Sequence, residues 1–206
     1  SFPTRRSSDY RDHEDLCKTV FIRPQWVTET IYKVLDYKVM EHGAGKFDHT
    51  HVARVAPDMD TKDLLALMLK FELIFPVGNE ADTYIAPQYL PEKNPQVPGS
   101  LFADLADDCH LPLFTLRFPG FLPRSVMTRF MCKYGPLADG KYWKDGIIFK
   151  KDGVWLWVNR SNTFDITVRA AARPPGLGAE LLAAFRKMSD HNPDLLISPN
   201  EADFVR

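Results

Sequence analysis

The stretch that decides the fold is residues 146–170, GIIFKKDGVWLWVNRSNTFDITVRA. It contains three apolar runs of strand length, and the last of them alternates apolar and polar residues from Phe164 to Val168. Such runs are typical of β-strands. The dipeptide Asp152-Gly153, between the first two runs, favours a tight hairpin turn. The stretch therefore predicts an antiparallel meander.

The middle strand of this meander has two apolar faces. In GVWLWVN, residues 153–159, the aliphatic side chains point to one side and Trp155 and Trp157 to the other. One internal core covers one of these faces. The other is covered by further helices of the chain or by a partner, and tryptophan is over-represented among interface anchors. We take Trp155 and Trp157, with Trp143 nearby, as a candidate partner surface.

The sequence around the meander adds one strand and two helices. LFTLRF, residues 113–118, alternates like a strand, and Pro123 then opens an amphipathic helix that Gly135 ends. A proline pair precedes a last helix with apolar residues at helical spacing. Residues 107–206 are therefore predicted to be an α+β unit, an antiparallel sheet with two covering helices.

The first half of the chain predicts a winged-helix-like subdomain over residues 10–92. Amphipathic patterns predict helices after Pro24, over residues 49–55 and from Thr61, with Asp60 or Thr61 as the N-cap of the third. Two apolar segments on either side of the loop GNEAD then read as a strand and a returning strand. The predicted fold class is α+β, a winged-helix-like subdomain followed by the antiparallel-sheet subdomain.

Composition sets two further segments apart. PQYLPEKNPQVPG, residues 87–99, carries four prolines and a glycine, which favours a linker, and we place that linker at residues 93–106. The first nine residues, SFPTRRSSD, show no periodicity, so we expect residues 1–9 to be a non-native leader. On that expectation the chain is a fragment of a longer protein.

Overall composition points to a soluble globular protein. The chain has 206 residues, 45% hydrophobic and 26% charged, with a formal net charge of −1, so no basic excess points to nucleic acid. No apolar run approaches the roughly 18 residues that a membrane helix needs. The three cysteines show no C-x-x-C spacing, which suits a reducing compartment. We expect a cytoplasmic protein without membrane contact.

The segment EHGAGKFDHTHVARV, residues 41–55, raises two possible sites that its spacing disfavours. A phosphate loop needs a longer glycine loop and a hydroxyl after the lysine, where this chain has Phe47. A plain turn is expected instead. His49 and His51 are two residues apart and diverge on a helix, so with Asp48 they predict surface histidines rather than a metal site.

No other motif predicts enzyme chemistry. Cys109 and His110 are neighbours that point apart on an extended chain, and the sequence contains no G-x-S-x-G motif and no dinucleotide fingerprint. We therefore expect no catalytic residue, metal or cofactor in this chain. A nucleic-acid-binding winged helix is the alternative, but the candidate recognition helices carry equal numbers of basic and acidic residues, Arg54, Lys62 and Lys70 against Asp58, Asp60 and Asp63.

Three runs carry a resemblance to a known family. They are FIRPQWVTETIYKVL, LLALMLKFELIFPV with TYIAPQYLP, and FTLRFPGFLPRSVMTRFM. In this order and spacing they resemble the COR (C-terminal of Roc) region of Roco proteins, bacterial type, from about residue 10 to the end. The resemblance implies a COR-A-type first part and a COR-B-type second part that dimerises.

The resemblance also implies the partners. A Ras-like GTPase domain called Roc, absent from this chain, is expected to bind GTP or GDP with magnesium and to pack against the COR region. The family motif ending in FLP points to Phe118 and Phe121 as GTPase contacts, although Arg117 and Pro119 depart from the tyrosine that the family commonly has there. With a homodimer expected, Trp143, Trp155 and Trp157 become the candidate dimer interface.

Overall fold

The computed structural model describes residues 24–36, 40, 42–93, 112–172, 174–189 and 193–196. The predicted leader, positions 94–106 of the predicted linker, Cys109 and His110 lie outside the described residues. In the described part of the chain, no helix is long and apolar enough to cross a membrane.

The N-terminal unit combines helices with a small antiparallel sheet. Its elements are α1 (Pro24–Val34), β1 (Lys46–Asp48), α2 (His49–Val55), α3 (Thr61–Lys70), β2 (Phe75–Pro76) and β3 (Thr83–Ile85). Strand β3 lies between β1 and β2. The sequence predicts the three helices and the β2–β3 pair, but it does not predict β1, because three residues are too few for a periodic signal.

Aspartates and one glycine set the boundaries of these elements. The Asp48 carboxylate accepts the backbone N–H of His51 at 2.9 Å, and the Asp60 carboxylate accepts that of Lys62 at 2.8 Å, so both aspartates are N-caps. Gly45 has φ +78°, and a Cβ there would lie 2.6 Å from the Ala86 carbonyl oxygen. The segment expected to be a plain turn is a turn, and it brings β1 against β3.

The C-terminal unit is a six-stranded antiparallel sheet with helices. Its elements are β4 (Pro112–Arg117), α4 (Arg124–Tyr134), β5 (Tyr142–Trp143), β6 (Gly146–Lys151), β7 (Val154–Arg160), β8 (Asp165–Ala170), α5 (Leu177–Met188) and β9 (Asp194–Leu196). The strand order is β5-β6-β7-β8-β4-β9. Asp152 and Gly153, at φ +50° and +84°, make the predicted hairpin turn. The α+β fold class and the meander are confirmed.

Helices α4 and α5 pack on the same face of this sheet. Phe130 of α4 stacks on Phe185 of α5 with ring centroids 4.4 Å apart, and Phe149 of β6 lies against Phe130 at 6.1 Å. All three rings are fully buried. Leu156 and Val158 of β7 belong to the same cluster, as the alternation predicts. The main core therefore lies between the two helices and one side of the sheet.

Two features of the C-terminal unit differ from the sequence prediction. Phe164 precedes β8 and is 45% exposed, whereas its alternation with Ile166 and Val168 places it in the core. The edge strands β5 and β9 are not predicted. They have only two and three residues, and pairing with their neighbours defines them.

The stacked phenylalanines predict a large loss of stability on truncation. We expect Phe130→Ala to lower the free energy of unfolding by about 3–5 kcal/mol, since the substitution leaves a cavity between the helices and the sheet. Leu137→Ala, at a half-exposed position, is the control, expected to change stability by less than about 0.5 kcal/mol. Urea unfolding followed by circular dichroism measures both, and equal losses would contradict this account of the core.

Candidate interaction surfaces

The tryptophan face is the side of the sheet opposite α4 and α5, and it carries a second, smaller cluster. Ile148 of β6 is fully buried there beneath Trp143, Trp155 and Trp157, which are partly exposed. Ile148 is directly opposite Trp157 in the strand register. All four residues come from strands. The structure thus brings the three predicted tryptophans together on one surface.

Gly146 permits this arrangement at the edge of the sheet. A Cβ at Gly146 would lie 2.2 Å from Cζ2 of Trp143, so the indole occupies the space that any larger residue would fill. Gly146 pairs directly with Trp143 between β6 and β5. The short strand β5 therefore positions the third indole beside the two from β7.

Cationic side chains lie over the indole rings. Lys141 Nζ and Lys150 Nζ are 5.8 and 5.9 Å from the Trp155 ring centroid, and the guanidinium carbon of Arg169 is 5.1 Å from the Trp157 ring centroid. These distances are within cation–π range. The surface is consequently aromatic at its centre and positively charged around it.

An exposed aromatic pair forms a second surface beyond the end of β7 that leads into β8. Phe121 is 77% exposed and stacks on Phe164, with ring centroids 5.6 Å apart and planes at 19°. The backbone joins the two loops, because the Leu122 N–H donates to the Thr163 carbonyl at 2.9 Å. We call Phe121 and Phe164 the phenylalanine pair.

The structure separates the two residues predicted to contact a GTPase. Phe118 is 3% exposed and belongs to the main core, so its ring is not available at the surface, whereas Phe121 is. Phe164 is the surface residue that sequence reasoning misses. Asn162 was the available signal: its side-chain oxygen accepts the N–H groups of Phe164 and Asp165, a local turn that starts β8 after Phe164.

An ion pair anchors the loop that carries Phe164. Arg117 Nε and Nη2 donate to the two carboxylate oxygens of Asp165 at 2.9 and 2.8 Å, and Asn162 Nδ2 donates to the same carboxylate at 2.8 Å. The Arg117 hydrogen bonds lower the pKa of Asp165 below its ordinary value, although burial acts in the opposite direction. The bidentate geometry fixes β4 against β8 where the phenylalanine pair begins.

His51 and Cys132 both make structural contacts with backbone carbonyls. His51 is buried and its Nε2 lies 3.0 Å from the Val34 carbonyl oxygen, while His49 is exposed. The expectation of two surface histidines is therefore wrong for His51, which faces α1. Burial and Glu72 raise the pKa of the Cys132 thiol to about 12, which disfavours a thiolate. Among the described residues, no group of three or more His, Cys, Asp or Glu is placed to hold a metal ion.

Comparison with known proteins finds a family model that matches the N-terminal unit. Residues 8–90 match the family model described as C-terminal of Roc, COR-A domain. Over these residues the chain resembles a COR-A domain. The COR-A match includes α1 to β3, and the predicted resemblance to the Roco COR region is confirmed.

Two curated relatives extend the similarity beyond COR-A. A probable serine/threonine-protein kinase, roco7, of Dictyostelium discoideum is 28% identical over 156 residues, 73% of this chain. A Roc-COR-CHAT protease of Runella zeae is 23% identical over 145 residues, 68% of this chain. The chain spans only 6% and 15% of the lengths of these two proteins.

The Asp165 ion pair predicts a pH-dependent contribution to stability. Because the folded-state pKa is depressed, Asp165 stabilises the fold above its unfolded pKa, ordinarily near 3.8, and loses this effect as the pH falls through the folded value. We expect wild type to exceed Asp165→Asn in urea midpoint at pH 7, with the gap closing below about pH 4. Asp58→Asn, at an exposed position, is the control. A gap that does not change between pH 7 and pH 3 would contradict the assignment.

Proposed function

We propose that this chain is a non-catalytic scaffold and dimerisation module of a Roco GTPase, and that it couples the nucleotide state of an adjacent Roc domain to the association of two protomers. The COR-A match and the two Roco-type relatives support the assignment to such a protein. The observation that carries the dimerisation proposal is the tryptophan face, an aromatic surface on the side of the sheet away from α4 and α5.

The composition of the tryptophan face suits protein association. Indoles rank among the side chains that contribute most at interfaces, and here they pack over a buried isoleucine. Lys141 also pairs with Asp139 at 3.5 Å. Lys150 is exposed, so its charge can stay solvated at the rim of a dimer. Arg169, over Trp157, donates to the Asn159 side-chain oxygen at 3.1 Å, so its guanidinium keeps a hydrogen-bond partner when a second copy buries the indoles.

The phenylalanine pair is the proposed contact for the Roc domain. It lies at the β7–β8 end of the sheet, whereas Trp155 lies near the β6–β7 turn. Five residues of extended strand separate Trp155 from Arg160, about 17 Å. The phenylalanine pair is therefore carried by loops beyond the end of β7, whereas the indoles lie on the face of the sheet.

In this proposal the nucleotide chemistry belongs to Roc, with GTP or GDP and magnesium bound there. The N-terminal unit is proposed to be winged-helix-like, which its element order and the β1-β3-β2 sheet support. Nucleic-acid binding is not favoured, because the acidic residues Asp58, Asp60 and Asp63 lie at the start of α3, where a recognition helix would approach phosphates. The protein is proposed to act in the cytoplasm.

Dimerisation through the tryptophan face predicts a change in solution mass. We expect sedimentation equilibrium of the full chain to show a concentration-dependent dimer. In the Trp155→Ala, Trp157→Ala variant, the dimer dissociation constant should rise at least about tenfold, because each buried indole acts as an anchor.

The matched control removes the other exposed aromatics. Phe121→Ala with Phe164→Ala should leave the self-association constant unchanged while deleting a similar amount of aromatic surface. Circular dichroism checks that both double variants stay folded. A wild-type chain that remains monomeric at high concentration would argue against autonomous dimerisation through this face.

The proposed Roc contact makes a separate prediction. Titration calorimetry of the chain with the Roc domain of its parent protein, loaded with GDP or a GTP analogue, should show binding that Phe121→Ser weakens about tenfold or more, as for an exposed aromatic anchor. Phe164→Ser should have a similar effect, since the two rings form one surface. Unchanged affinity in both variants would exclude the phenylalanine pair from the contact.

A further inference from the structure

The N-terminal unit has a hydrophobic core of its own, and part of it also enters the core of the C-terminal unit. Phe75 of β2, Ile85 of β3 and Leu90 are buried in the same cluster as the apolar residues of α4, α5 and the large sheet. Phe75 makes an edge-to-face contact with Tyr142 of β5, with ring centroids 5.2 Å apart. The edge of the small sheet is thus part of the core of the other unit.

The contact between the two units, which we call the joint, is closely packed. A Cβ at Gly135, directly after α4, would lie 2.5 Å from the Phe75 ring. A Cβ at Gly78 would lie 2.7 Å from the Pro136 carbonyl oxygen. Packing at this density tolerates little sliding, because any shift creates a clash on one side and a void on the other.

Glu72 connects the end of α3 to both helices of the C-terminal unit. Its carboxylate accepts a hydrogen bond from Arg129 Nε of α4, and its backbone carbonyl accepts one from Cys132 Sγ at 3.1 Å. Arg129 Nη1 in turn donates to the Met188 carbonyl, the last residue of α5, at 2.9 Å. Glu72 thus contacts α4 directly and reaches α5 through the Arg129 side chain.

Glu72 occupies this position at a conformational cost. Its φ is +55°, a left-handed value that favours glycine over residues with a Cβ. The Glu72 and Arg129 side chains are about one third exposed, at 37% and 34%. Two groups of α4, the Arg129 guanidinium and the Cys132 thiol, nevertheless bond to its carboxylate and its backbone carbonyl. A strained residue held by two directional contacts from the other unit points to a geometric role.

We propose that Glu72 is a positioning residue that fixes the angle between the COR-A unit and the C-terminal unit, so that the two units move as one rigid body. The rigid joint itself does not depend on the proposed function, but its consequence for the tryptophan face does. A Roc domain bound at the phenylalanine pair would then turn the COR-A unit together with the sheet that carries the tryptophan face, without rearrangement inside this chain.

The test measures the distance between the units directly. Spin labels are placed at Ala53→Cys in α2 and Ala183→Cys in α5, two exposed alanines on helices, with Cys17→Ser and Cys109→Ser as background. Cys132 remains, since its raised pKa disfavours labelling at neutral pH. Dilution with unlabelled chain restricts pulsed electron paramagnetic resonance to distances within one protomer.

The expected result is one narrow distance distribution for wild type and for Glu72→Gln, which keeps an acceptor for Arg129. Glu72→Gly removes the side chain but suits a positive φ, so it should stay folded with an undiminished thermal midpoint. The width of the distance distribution between the two spin labels should increase about twofold in this variant, as expected for a loosened hinge.

Two results would overturn the proposal. A broad or bimodal distribution in wild type would show that the units move independently. A distribution for Glu72→Gly as narrow as that of wild type would show that the apolar packing alone sets the angle. Since the distances are measured within one protomer, failure of dimerisation in sedimentation leaves this test unaffected.

Discussion

The packing of α4 and α5 onto one face of the large sheet is the constraint on which the rest of the structure depends. Phe130, Phe149 and Phe185 fill the space between them and exclude water. Because both helices use the same face, the indoles of β7 remain on the opposite face, where the described apolar residues that pack with them come from strands. The same packing positions α4, and with it Arg129, toward the N-terminal unit.

The three features of functional interest are therefore consequences of one arrangement. The tryptophan face is the side of the sheet that the helices do not cover. The phenylalanine pair lies where β4 and β8 end, held by the Arg117–Asp165 ion pair. The joint lies beneath α4, where Phe75 enters the main core. In the proposed function the first two features serve protomer association and GTPase contact, and the joint holds the N-terminal unit fixed to the sheet that carries both surfaces.

Local patterns made most of the elements predictable. Helices α1 to α5 carry apolar residues at helical spacing, and α2 and α3 also have an aspartate before the first turn. The β6–β7 hairpin was predictable from the Asp152-Gly153 dipeptide, since both residues need positive φ. Strands β1, β5 and β9 carry too few residues for such a pattern and exist because a neighbouring strand pairs with them.

The candidate surfaces were only half predictable. Alternation correctly places Trp155 and Trp157 opposite the aliphatic residues of β7. The same rule fails for Phe164, because the Asn162 turn starts β8 one residue later than the alternation suggests. Phe118 and Phe121 are equivalent in sequence as aromatic residues of one motif. Only the main core, which takes up Phe118, distinguishes them.

By itself, the sequence determined the α+β class, the helices, the meander and the resemblance to the COR region, because these depend on periodicity, turn chemistry and motifs within short segments. Tertiary structure alone decided the joint. Glu72 is 57 residues from Arg129 along the chain, and Phe75 is buried by residues of the other unit. No local pattern encodes such a contact, because its free energy arises only when distant segments have already folded against each other.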